Sequence, residues 1–96
     1  FPNPFSNSTD IYFQHNKADE ELNYVLDIYS VTGVLVKRIE ESSYNSIGYR
    51  IGPISWDGTN LYGAKISAGV YVATLGVRDK GGDFSSKSMR IILLPQ

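Results

Sequence analysis

Few residues in this 96-residue chain have the types and spacing for chemistry. His15 is the one histidine, and there is no cysteine. A Cys-ligated zinc site, thiol catalysis and a disulfide framework are therefore excluded within the chain. His15 ends an alternating stretch, on the same face as Ile11 and Phe13. One imidazole there is a poor metal site and reads as a boundary residue with one nitrogen hydrogen-bonded. Serines are plentiful, but none sits in a Gly-x-Ser-x-Gly elbow, and nothing points to His15 as the base of a triad. The carboxylates of Asp19-Glu20-Glu21 and Glu40-Glu41 read as a solvated loop and an exposed strand end. Asp57, Thr59 and Asn60 offer side-chain oxygens at a spacing that invites calcium. The further acidic ligands of a calcium loop are missing, and Asp-Gly-Thr-Asn is ordinary turn chemistry. No catalytic group, cofactor or metal is expected.

The bulk composition narrows the partner classes. Nine basic and ten acidic residues are mixed along the chain, for a net charge of −1. That balance supplies no positive field for phosphate, so nucleic acid is not an expected partner. No apolar run approaches the ~18 residues of a membrane span, and the amino terminus lacks a signal-peptide pattern. The length and a 42% apolar content fit one domain over residues 1–96. Phe1 in place of Met marks it as a module expected to come from a longer parent protein. Seven tyrosines and four phenylalanines are generous. On strands they usually fill a core, whereas an exposed row would bind carbohydrate or a protein.

The elements are strands separated by turn residues. Asp10–His15 and Leu22–Ser30 alternate, the second with Leu22, Tyr24, Leu26 and Ile28 on one face. Val31-Thr32-Gly33 turns the chain into a strand over Val34–Glu41, and Ser42–Gly48 reads as a polar loop. A strand from Tyr49 to Trp56 is interrupted by Gly52-Pro53, the mark of a bulge or an edge. Trp56 to Tyr71 carries three glycines, Gly58, Gly63 and Gly69. It reads as a crossing between two sheets, with a short strand at Lys65-Ile66. Val70–Asp79 is apolar on both faces and therefore central. Lys80-Gly81-Gly82-Asp83 is a hairpin into Phe84–Leu94, stopped by Pro95. The count is about seven strands and no helix, an all-β, antiparallel sandwich.

Three pieces of the chain, in order, carry a family resemblance. Phe1-Pro2-Asn3-Pro4-Phe5 resembles the opening of the C-terminal domains that type IX (Por) secretion substrates carry in Bacteroidetes. Leu22–Ser30 with Val31-Thr32-Gly33-Val34-Leu35-Val36 resembles their Gly-turn hairpin. Trp56-Asp57-Gly58, Gly63 and Gly69-Val70-Tyr71 resemble their Trp-x-Gly to Gly-Val-Tyr signature, which is similar also to that of the flagellar hook-capping protein. The stretch Tyr12–His15 and the Asp-Gly-Thr-Asn turn look closer to the version at the end of the system's own sortase.

The resemblance implies an immunoglobulin-like sandwich that is not itself an enzyme, although its parent is implied to be a cysteine-protease-like sortase. It implies passage through the periplasm and display at the outer membrane and cell surface. The implied partners are the secretion translocon and an outer-membrane β-barrel shuttle protein (PorV-like). Export determinants are implied in the last strands, here Gly69, Tyr71, Lys87, Arg90, Ile91 and Ile92. The structural signature falls on Pro2, Asn3, Pro4, Gly33, Trp56, Gly58, Gly63 and Gly69. The chain departs from most cargo domains by continuing to Leu94-Pro95-Gln96 after the apolar run. The alternative is a structural spacer like the hook-capping module, and an exposed edge strand also permits self-association.

Overall fold

A computed structural model of the chain describes residues 8–14, 21–45 and 48–95. Pro2, Asn3, Pro4, His15 and the Asp19-Glu20 pair lie outside the described residues. Six strands follow: β1 (Thr9–Gln14), β2 (Glu21–Ser30), β3 (Leu35–Asn45), β4 (Arg50–Trp56), β5 (Gly69–Asp79) and β6 (Phe84–Leu93). One sheet has the order β3-β2-β5-β6, and the second pairs β1 with β4. All pairings are antiparallel, so the predicted sandwich is the observed one. The short strand expected at Lys65-Ile66 is present as one bridge, Thr59 with Lys65.

Period-two alternation builds the core. Leu22, Tyr24, Leu26 and Ile28 of β2 are buried, as are Tyr71, Ala73, Leu75 and Val77 of β5. The small sheet covers them with Ile11, Phe13, Ile51, Ile54 and Trp56, closing one apolar cluster. The apolar end of β6 divides between two faces: Ile91 and Leu93 are buried, Ile92 and Leu94 exposed. β5 is central, as its two-sided apolar pattern requires.

One expectation is corrected. Residues 42–45 belong to β3 rather than to a polar loop, and Tyr44 is the reason. Its ring meets Tyr24 edge-on at 5.3 Å and 77°. Its hydroxyl donates to the Gly52 carbonyl and accepts from the Gly52 N–H, both at 3.0 Å. A side chain from the large sheet thereby satisfies a backbone unit of the small one. Without that acceptor and donor, the Gly52 peptide would be left short of partners between the sheets. Tyr44→Phe is expected to lower stability by about 1–2 kcal/mol, read as a shift in the urea midpoint at constant slope.

The interruption at Gly52-Pro53 is a bulge. Ile11 pairs with Ile54, but Phe13 pairs with Ile51, so β4 carries one more residue than β1 between those points. A two-to-one mismatch of this kind bends the strand and increases its twist.

Candidate docking surface and the loop behind it

The loop from Asp57 to Ala68 joins the end of β4 to the start of β5, and so carries the chain from one sheet to the other. Trp56 anchors it. The indole is buried, its N–H donates to the Thr59 carbonyl at 3.0 Å, and its ring meets Tyr71 edge-on at 6.0 Å. A large side chain thus fills the core while its one polar atom is satisfied by the loop.

Local hydrogen bonds then fix the loop's shape. Asp57 Oδ1 accepts from the Thr59 N–H and hydroxyl, and Gly58 takes the positive φ of +74° that such a turn demands. Asn60 Oδ1 accepts from the N–H groups of Tyr62 and Ala64 at 2.9 and 3.0 Å. Gly63, at φ +80°, donates its N–H to the Asn60 carbonyl. The Lys37 ammonium on β3 reaches over to the Asn60 carbonyl at 3.2 Å, and Lys65 donates to the Asp57 carbonyl at 3.1 Å. The oxygens of Asp57, Thr59 and Asn60 are therefore turned on the loop's own donors, with a lysine beside them.

These contacts set one ionisation. The Asp57 carboxyl is held below its ordinary value, first by the Thr59 hydroxyl, then by the Thr59 N–H and the Lys37 charge, with partial burial working the other way. A carboxyl depressed on folding stabilises the fold above its unfolded pKa, and that contribution disappears as pH falls through its lower folded value. Asp57→Asn is expected to be less stable than wild type at neutral pH. The gap should narrow below about pH 4, in urea titrations repeated across pH.

The residues expected to meet a partner divide between core and surface. Tyr71 is buried against Trp56 and donates its hydroxyl to the Ser67 carbonyl at 2.6 Å. Ile91, its cross-strand neighbour, is also buried. Both hold the fold and present no side chain to a partner of the intact domain. Gly69 opens β5 at φ +155°, opposite Leu93. Lys87 is exposed, paired with Leu75, on the β6 face turned toward the small sheet. Arg90 and Ile92 are exposed on the opposite face, beside Val72 and Val70. Gly33 turns β2 into β3 at φ +88°.

That outer face carries a shallow depression of about 520 Å³ near the far end of β6, lined in part by Asp27, Thr74, Gly76, Arg78 and Phe84. Phe84 lies on Gly76, where an added Cβ would come within 3.1 Å of the ring. The Arg78 guanidinium sits 5.5 Å from the ring centre, and Arg38 closes the rim with a two-point ion pair to Asp27 at 2.7 and 3.0 Å. Among the described residues, the exposed aromatics Tyr49, Tyr62 and Phe84 lie on separate segments, with no row of the kind that stacks on sugar rings. The sequence pointed to Trp56, the glycines and the Asp-Gly-Thr-Asn turn, in which Asn60 takes the turn role, but not to Tyr44 or Lys37.

The chain is similar to solved structures over all or nearly all of its length. It matches dimeric latent PorU from Porphyromonas gingivalis with a TM-score of 0.80 and 36% identity, covering 100% of this chain. It matches FlgD from Xanthomonas campestris, a protein of hook capping in flagellar assembly, with a TM-score of 0.69 and 21% identity over 94% of this chain. The chain spans 9% of the PorU chain and 61% of the FlgD chain. At 21% identity the FlgD likeness shows the fold alone. No family model and no curated protein matches the chain.

Proposed function

We propose that this chain, a type IX secretion-related domain of the fold shared by PorU and FlgD, is a non-catalytic recognition module. In this reading it directs its parent protein through the type IX system to the outer-membrane surface and docks there on a β-barrel shuttle protein. The observation that carries the reading is the 36% identity to PorU across all of this chain. The signature that carries the sequence resemblance also falls where the fold needs it: Trp56 and Tyr71 touch across the two sheets, and Gly58 and Gly63 shape the loop between them.

The physical features agree with recognition. The side chains that sequence chemistry singles out in the loop hold one another, and the surface offers strand edges and a rigid turn. A preordered surface loses less freedom when a partner binds it. The test is a periplasmic reporter fused to residues 1–96, expressed with and without a working type IX translocon. Surface delivery only with the translocon is expected. A folded fusion that remains periplasmic in both strains would overturn the reading.

A further inference from the structure

The four-stranded sheet ends in two edges that differ in kind. β3 carries an extra residue against β2 at two places, between the pairs Leu22–Tyr44 and Tyr24–Glu41 and between Ile28–Lys37 and Tyr29–Leu35. Lys37, Arg38, Glu40 and Glu41 add charge along it. Bulges and charges of this kind blunt a strand edge against pairing with another chain. β6 has neither bulge nor proline. It pairs with β5 in unbroken register, and its other side meets no strand among the described residues.

The stretch Phe84–Met89 is where that edge is least defended. Phe84 to Ser88 are all exposed, although Ser85 and Lys87 lie on the side of β6 that faces the core further on, at Ile91 and Leu93. Lys87 is the single charged residue of the stretch, and it stands beside the buried Leu75. A charge on the core side of an edge strand is well solvated while the strand remains an edge. It becomes costly once a further strand closes over it.

Strand geometry sets this charge against itself. Directly opposite side chains of an antiparallel pair share a face. Two copies of β6 joined about a two-fold axis are therefore centred on a residue, never between two. Centred on Lys87, the pairing puts the two lysines directly opposite, with Cβ atoms about 4.5–5.5 Å apart. Centred on Ser86 or Ser88, it makes them diagonal neighbours at about 7–8 Å.

We propose that Lys87 is a guard residue: it keeps β6 from pairing with β6 of a second copy of this chain, and so holds the module monomeric. The role is separate from the recognition reading and is measured without secretion.

The test is sedimentation velocity of the chain at matched concentrations, with amide hydrogen exchange to locate any new contact. Wild type is expected to be monomeric. Lys87→Val is expected to self-associate about tenfold more tightly or better, with the new protection in β6. Lys87→Thr, also uncharged, gives a second reading if the valine variant alters folding. Lys80→Val removes another exposed lysine, in the β5–β6 hairpin, and should stay monomeric, as should Lys87→Glu. Mixing Lys87→Glu with wild type should produce a dimer that neither forms alone. The proposal is overturned if the uncharged Lys87 variants stay monomeric or if Lys80→Val associates equally well. New protection away from β6, or a wild type already paired through β6, would overturn it too.

Discussion

Trp56→Ala is expected to lower stability by about 3–5 kcal/mol, a large share of the ~5–15 kcal/mol that holds a typical domain. Three losses combine. The indole leaves a void where the small sheet meets Tyr71. The Thr59 carbonyl loses its donor. The loop 57–68 then loses its anchor at the point where the chain changes sheets. Equilibrium urea unfolding measures the total, and Trp56→Phe separates the parts, since it keeps an aromatic ring but not the N–H. A loss below about 1 kcal/mol for the alanine variant would mean that the two sheets are joined by something other than this residue.

The second large effect is expected at Gly52. An alanine Cβ there would lie 2.6 Å from the Ile11 carbonyl oxygen and 3.2 Å from the Tyr12 Cα, both backbone atoms that cannot swing aside. The φ of +127° adds a conformation that side-chain-bearing residues avoid. Overpacking and backbone strain together predict a loss of about 3 kcal/mol or more for Gly52→Ala. The same change at Gly82, where φ is +88° but the space is open, should cost clearly less. Comparing the two urea midpoints isolates the contribution of the β1–β4 contact. Equal losses would show that backbone conformation alone sets the cost.

The strands were legible because burial follows a period of two. Leu22, Tyr24, Leu26 and Ile28 announced their face, and Val70–Asp79 its central place, through residue type alone. The crossing from Trp56 to Gly69 was legible for the same kind of reason, since glycines mark bends and a tryptophan marks a core. The far end of β3 was not. Glu41, Ser42 and Asn45 look like loop residues, yet β3 continues past a register shift to pair Tyr44 with Leu22 and Asn45 with Glu21, while the Tyr44 side chain meets Tyr24 and Gly52. Side-chain reach across sheets leaves no local pattern.

For the residues expected to meet a partner, the strand was legible but the face was not. Local sequence placed Gly69, Lys87, Arg90 and Ile92 on the last two strands but could not say which way each side chain faced. Tyr71 and Ile91 turn inward because β5 and β6 pair in unbroken register from Gly69–Leu93 to Arg78–Phe84.

The most direct measurement compares two fusions in a bacterium with the type IX machinery. One joins residues 1–96 to a periplasmic reporter, and the other joins the matching module of Xanthomonas campestris FlgD to the same reporter. Surface protease digestion reports location, and chain mass reports whether the module is removed. The account predicts that the first fusion reaches the surface while the second folds and stays in the periplasm. A well-folded first fusion confined to the periplasm, or equal delivery of both, would contradict it.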